Sequence, residues 1–314
     1  MTRVLPVPDG LIGVRFDQAM AKMLGISRTK AGALIADGQA SVLGMAAQKS
    51  TRLGADDMLS IDLRETERHV EPEALGMEVL YEDEDIVIVN KPVGVAAHPS
   101  PGWTGPTVVG SLLRRGVKLS DYGPPLRKGV VSRLDVGTSG CMLLCKSNLA
   151  YLEMRKQFVN HDVDKTYNAI AQGDLPQGKA TIDAPIARAK AADFRFTVTA
   201  AGKSAITHYD VLERFGVATL VSVNLETGRT HQIRVHFSSI GHPLVGDPLY
   251  GSNPKLGERL GLTRQWLHAS QLGFKHPRTR LWTVVRAPCP ADLTRSLNIL
   301  RTERAERGIT AGRP

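Results

Sequence analysis

Val130-Val131-Ser132-Arg133-Leu134-Asp135-Val136-Gly137-Thr138-Ser139-Gly140, followed by Cys141-Met142-Leu143-Leu144-Cys145, reads as two short apolar runs either side of a polar turn. Runs of that length and composition are buried strands. Gly137 and Gly140 let the turn take positive φ or meet another backbone closely. A carboxylate fixed by flanking core strands is well placed to act as nucleophile or general base. The local alternative is that Asp135 makes an Asx-type hydrogen bond within the turn.

Outward from this stretch, strands and helices interleave without a regular βαβ repeat. Residues 86–89, 166–171, 205–212 and 217–225 read as strands, the last two joined as a hairpin. Val108, Val109, Leu112 and Leu113 give a short helix with Arg114 and Arg115 near its end. Asn148 caps another, with Leu149, Leu152 and Phe158 as its buried face. Between Thr230 and Gly241, Ile233, Phe237 and Ile240 are spaced for one helix face, with Thr230 as N-cap. Arg234 lies off that stripe; as a permanent cation it can hold a carboxylate by a bidentate pair, or contact a phosphate. Tyr167 offers a ring for base stacking, or packs as a strand aromatic. His98 reads as a loop hydrogen-bonder, and the other histidines form no metal set. Residues 246–251 read as a scaffold turn. Residues 291–300 read as a closing helix and 301–314 as a charged, mobile tail.

The first 70 residues read as a separate module starting near residue 11. Phe16, Met20 and Met23 mark a helix face ended by Gly25. Ser27 caps a second helix, with Ala31, Leu34 and Ile35 on its core side. Residues 40–42 and 58–63 are short strands. Arg28 and Lys30 stand in the first turn of the second helix, where the dipole disfavours cations. An incoming phosphate reverses that sign; two solvated side chains are the alternative. Residues 64–77 are charged and read as a linker, leaving a body from 76 to 300 as the second domain.

At 314 residues with a formal charge of +9, the chain has room for two domains and suits a polyanionic partner, nucleic acid before membrane. No apolar run reaches the roughly 18 residues of a transmembrane helix. Nor is there a signal-peptide core at the N-terminus. Cys141, Cys145 and Cys289 read as buried free thiols of a cytoplasmic protein. There is no dinucleotide fingerprint, P-loop or metalloprotease motif.

Five ordered stretches resemble the RluA-type pseudouridine synthases. They are residues 81–92, the Arg133-Leu134-Asp135 signature, Lys165-Thr166-Tyr167, residues 226–236 (Glu-Thr-Gly-Arg-Thr-His-Gln-Ile-Arg-Val-His) and Gly246-Asp247-Pro248-Leu249-Tyr250-Gly251. Where members of the family carry histidine, this chain has Ser132. The first module resembles the S4 RNA-binding domain, with Arg15-Phe16-Asp17 and Ser27-Arg28-Thr29-Lys30 at the matching places.

The resemblance implies an α+β fold, with a mixed, mainly antiparallel catalytic sheet preceded by a small α/β domain. It implies conversion of uridine to pseudouridine in RNA, without cofactor or metal. Asp135 is then the catalytic aspartate, Tyr167 the tyrosine against the base, and Arg234 the basic partner of Asp135. Arg133 is the arginine that helps displace the nucleotide; Arg229, Arg15, Arg28 and Lys30 are further RNA contacts. The wording of the motifs is most similar to the RluD-like subgroup, which implies large-subunit rRNA as partner and a monomeric enzyme. Two other classes stay open: a non-catalytic rRNA-binding or assembly factor, and an enzyme acting on a different base.

Overall fold

The computed structural model of the chain describes residues 2–62, 77–100, 103–189 and 195–307. The chain divides into two compact units, residues 1–70 and 71–314. The linker expected at 64–77 lies, but for its last residue, outside the described residues.

In the first unit, strand β1 (Thr2–Pro6) precedes helices α1 (Phe16–Leu24) and α2 (Arg28–Ala36) and strands β2 (Ala40–Val42) and β3 (Met58–Asp62). The three strands form one antiparallel sheet in the order β1-β3-β2. Gly25 ends α1 in the left-handed conformation, and Ser27 Oγ accepts the Lys30 N–H at 3.2 Å to start α2. Phe16, Met20, Ala31, Ile35, Leu59 and Ile61 close the core between helices and sheet. The module therefore begins before residue 11. β1 escapes sequence reading because it is short, carries prolines nearby and owes its pairing to β3.

The second unit contains strands β4 (Glu78–Glu82) and β5 (Ile86–Lys91), helix α3 (Val108–Arg114), strand β6 (Ser139–Cys145) and helix α4 (Asn148–Val159). Strands β7 (Asp164–Gln172), β8 (Lys179–Asp183), β9 (Ile186–Arg188), β10 (Phe196–Val198), β11 (Ile206–Arg214) and β12 (Ala218–Leu225) follow. Helices α5 (Gln232–Ser239) and α6 (Pro254–Arg259), strands β13 (Leu267–Lys275) and β14 (Trp282–Arg286) and helix α7 (Ala291–Glu306) complete it. Nine strands form a mixed sheet in the order β4-β5-β6-β13-β7-β12-β11-β8, with β14 also on β13. Among the described strands of this sheet only the β6–β13 pairing is parallel, so the sheet is mainly antiparallel. β9 and β10 form a separate ribbon.

Alternation explains why residues 86–89 of β5 and 141–145 of β6 are an unbroken apolar run. Val87, Val89, Met142 and Leu144 face α3, whose Val108 and Leu112 join them. Ile86, Ile88, Cys141, Leu143 and Cys145 face the opposite way, against Ala150, Tyr151 and Met154 of α4. Across the rest of the sheet, Ile233 and Phe237 of α5 cover one face and Leu293 and Leu300 of α7 the other. Both faces are thus buried, which removes the polar half of the usual strand pattern.

Several expectations change. Val130 and Val131 are not a strand: only Val130 bridges Leu144, because β5 and β13 already take the edges of β6 where it begins. Ser147, not Asn148, caps α4, and Asn148 Oδ1 instead accepts from Ser120 and Asp121. That phase turns Ala150, Tyr151 and Met154 inward and leaves Leu149 and Leu152 exposed. α7 continues past Leu300, where Arg301 and Arg304 pair with Glu213. Cys289 is exposed rather than buried.

Candidate active site

Asp135 sits in the turn that feeds β6, and every residue after it in the turn is pinned. Thr138 N–H donates to the Asp135 carbonyl at 3.0 Å, and Gly94 N–H to the Val136 carbonyl at 3.0 Å. Arg264 Nη1 donates to the Gly137 carbonyl at 3.2 Å, and Gln265 Nε2 to Thr138 Oγ1 at 3.2 Å. Gly140 has φ 118° where β6 meets β13; a Cβ there would lie 2.2 Å from the Ala269 carbonyl oxygen. Only glycine permits that approach. The strand pair therefore fixes the start of β6, and the start of β6 fixes Asp135.

Beneath the turn lies Lys91, wholly buried. Its Nζ donates to the carbonyls of Val95 at 2.8 Å, Pro92 at 2.9 Å and Val136 at 3.4 Å. Burial pushes the amine down to about 7, opposed by the charge of Asp135 and assisted by that of Arg264. Lys91→Met takes this donor from the Val95 and Pro92 carbonyls and leaves Val136 only the Gly94 N–H, at about 1–3 kcal/mol for an unsatisfied buried group. The expected loss in urea unfolding of the full chain is about 3 kcal/mol. A variant as stable as the wild type would show that Lys91 does not clamp the turn.

Arg234 comes from α5, on the far side of the cavity. Helix α5 starts later than the sequence suggests. Gln232 Oε1 accepts from Thr227 Oγ1 and from the Arg229 N–H, while its Nε2 donates to the Ile206 carbonyl and Thr207 Oγ1. One turn on, His236 bonds Thr207 Oγ1 and the Ala184 carbonyl. These two side chains staple the helix to β11. The N-cap is His231, not Thr230, at φ 58° and ψ 17°. A left-handed non-glycine residue costs roughly 1–2 kcal/mol, so its surroundings must hold it.

Arg234 is buried rather than displayed on a helix surface. Its fork closes on Asp247, with Nε to Oδ2 at 2.7 Å and Nη2 to Oδ1 at 2.8 Å. The remaining nitrogen, Nη1, reaches Asp135 Oδ2 at 3.5 Å. Its guanidinium carbon lies 4.9 Å from the centre of the Tyr250 ring. Burial works against the Arg234 charge, but the bonds and charges of Asp247 and Asp135 outweigh it and raise the pKa. Residues 246–251 are thus a scaffold with a specific load. They aim Arg234, and Arg234 meets Asp135 end-on rather than by the bidentate pair.

Asp135, Tyr167 and Arg234 line one cavity, together with Arg133, Arg229 and His231. Tyr167 stands on β7, next to β13, opposite the Asp135 turn. Burial first, then the charge of Asp135, pushes its phenol up, so it stays protonated. Arg133 is exposed at the rim and makes no hydrogen bond or ion pair within the described residues. Arg229 Nε is engaged with the Ser204 carbonyl at 2.9 Å. His98 makes the expected loop contact, Nδ1 to the Pro99 carbonyl. Among the described residues no group of three or more His, Cys, Asp or Glu could hold a metal ion.

Arg15, Arg28 and Lys30 belong to the first unit. Arg15 Nε and Arg28 Nε both donate to the carboxylate of buried Asp17, at 3.1 and 3.0 Å. The Arg15 bond, against the cost of burial and with help from Arg28, holds the Asp17 carboxyl down at about 2. Arg28 is therefore not a bare cation at the α2 terminus. One carboxylate orients two arginines, while Lys30 remains exposed. His231, Tyr250 and Asp247 were not singled out from sequence as site residues. Their signal was present only as company, in the 226–236 and 246–251 stretches.

The sequence model of a family described as RNA pseudouridylate synthase matches residues 85–239. An uncharacterized RNA pseudouridine synthase of Mycobacterium bovis is 48% identical over 304 residues, 96% of this chain and 99% of that one. Ribosomal large subunit pseudouridine synthase D of Escherichia coli K12 is 35% identical over 313 residues, 95% of this chain and 94% of that one. Among solved structures, human RNA pseudouridylate synthase domain containing 1 superposes with a TM-score of 0.56 at 27% identity, covering 70% of this chain and 86% of that one. No helix among the described residues is long and apolar enough to cross a membrane. With relatives of that identity along nearly its whole length, the chain belongs to the RNA pseudouridine synthase family.

Proposed function

We propose that this enzyme isomerises specific uridines of large-subunit rRNA to pseudouridine, with Asp135 as the acting carboxylate and no cofactor. The observation that carries this reading is Asp135 itself. It is a mostly buried carboxylate in a rigid turn, facing an arginine whose direction is set by Asp247. The reaction breaks the N1–C1′ bond, turns the uracil and joins C5 to C1′. The C5 hydrogen is lost and N1 gains one, so atoms balance without oxidant, reductant or phosphate. An ionised carboxylate serves whether it attacks C1′, attacks C6 or takes the C2′ proton. Extruding a stacked base costs a few kcal/mol. Arg133, at the rim and without a partner among the described residues, and the ring of Tyr167 are the groups that would offset that cost.

The choice of rRNA rests on the name of the Escherichia coli relative and on the first unit, which we read as an S4-like RNA-binding domain. A net charge of +9 fits that partner. The same reading puts the enzyme in the cytoplasm, acting as a monomer. Arg28→Ala with Lys30→Ala should then make the slope of log affinity against log salt shallower by roughly one to two. RNA binding at several salt concentrations, with a thermal melt as control, measures it. An unchanged slope would remove these residues from the RNA interface.

The test of the activity is incubation of the purified enzyme with protein-free rRNA, followed by carbodiimide derivatisation and mass mapping. Derivatisation is needed because isomerisation leaves mass unchanged. New pseudouridine is the expected result. RNA binding without modification would mark a binding or assembly factor instead.

A further inference from the structure

The α5 N-cap points an unassigned donor into the cavity. His231 holds a strained left-handed backbone, and its ring sits between two aromatic edges, Phe196 and Tyr250, each 5.6 Å away centre to centre. Nδ1 is 2.7 Å from the Tyr250 hydroxyl. That hydroxyl also accepts the Phe196 backbone N–H at 3.0 Å. The hydroxyl has one hydrogen, and among the described residues His231 Nδ1 is the acceptor within reach. With Tyr250 donating, Nδ1 is the bare nitrogen and Nε2 carries the ring hydrogen. The reverse tautomer would strand the Tyr250 hydrogen and aim an Nε2 lone pair at a carboxylate.

Nε2 lies 3.8 Å from Asp135 Oδ2. This exceeds a hydrogen bond, so the Nε2–H is directed at the catalytic corner without being consumed by it. Burial lowers the affinity of the ring for a second proton, with Arg234 and Arg133 acting in the same sense and Asp135 and Asp247 against it. A neutral ring with one fixed N–H is a donor for a carbonyl oxygen.

We propose that His231, oriented by Tyr250, donates its Nε2–H to a carbonyl oxygen of the target uracil and so fixes the base against Asp135. This rests on the pseudouridine synthase reading above. His231→Asn is the informative variant. Asparagine tolerates the left-handed backbone. Its amide can replace Nδ1 towards Tyr250 but has no atom at Nε2. His231→Gln puts an amide nitrogen near the Nε2 position instead. Tyr250→Phe keeps the ring and removes only the hydroxyl that selects the tautomer.

The measurement is the single-turnover rate of pseudouridine formation, with RNA affinity and melting temperature taken for each variant. For His231→Asn the rate should fall about 10–100-fold, since one directed donor is commonly worth that or more. Its affinity should stay within about threefold and its melt near wild type, because the lost contact acts after binding. Gln should recover part of the rate, and Tyr250→Phe should fall between Asn and wild type. The inference is overturned if Asn matches wild type, if Asn and Gln lose equally, or if the loss tracks the melt. Wild type on the same RNA separates the two levels. If it forms no pseudouridine, the functional reading fails and this inference with it; if it does, only His231 is in question.

Discussion

Asp135→Asn should bind rRNA within about threefold of wild type and form pseudouridine at least ~10³-fold more slowly, because one atom of the acting unit is changed and none of its shape. The turn that holds residue 135 is pinned through its own backbone carbonyls: Thr138 N–H on that of Asp135, Gly94 N–H and Lys91 Nζ on that of Val136. None of those bonds involves the carboxylate, so the amide inherits the same position. What disappears is the charge that the chemistry uses. Single-turnover assays on saturating RNA, with affinity measured separately, read both quantities. Product formed at a rate near wild type would remove Asp135 from the chemistry.

The second large effect is expected at Asp247, which acts on Asp135 through Arg234. Asp247→Ala leaves Arg234 buried with its fork empty, a change that costs about 3–5 kcal/mol in comparable buried pairs. Arg234 then has Asp135 as its nearest carboxylate partner and is drawn out of line. Both stability and turnover should fall. A double variant, Arg234→Met with Asp247→Leu, separates the two. Apolar replacement of both partners of a buried pair is often close to neutral for stability. It should therefore recover much of the unfolding free energy and none of the activity. Recovery of both would make Arg234 purely structural.

These predictions depend on side-chain directions that the sequence carries unevenly. Local rules served well where the interaction is local. Gly25 and Ser27 bracket two helices because a left-handed stop and a hydroxyl cap act within four residues. The apolar run 141–145 reads correctly as a buried strand, and Arg133-Leu134-Asp135 as a fixed turn, because both need only neighbours in sequence. The reading failed where a distant partner decides. Val130 and Val131 have strand composition, but only Val130 finds a place beside β6, in a single bridge to Leu144. Leu149 and Leu152 lost the core to Ala150 and Met154 through a one-residue shift in the cap. Arg301 and Arg304 look like a loose charged tail until Glu213, far away in sequence, gives them partners.

The site shows the same division. Asp135, Tyr167 and Arg234 were legible as residue types suited to the chemistry and meet in one cavity. Which carboxylate Arg234 grips was not, since Asp247 lies in a turn that reads as scaffold. His231 was hidden for a related reason. A histidine followed by Gln-Ile-Arg looks like the first turn of a helix, and nothing local signals its left-handed backbone. Only the bond to Tyr250, nineteen residues on, turns its other nitrogen toward Asp135.

The most direct test of the account is pseudouridine mapping of large-subunit rRNA from cells lacking this protein, complemented with wild type or with Asp135→Asn. The account predicts sites that vanish in the deletion, return with wild type and stay absent with Asp135→Asn. An identical map in all the strains, or full restoration by Asp135→Asn, would contradict it.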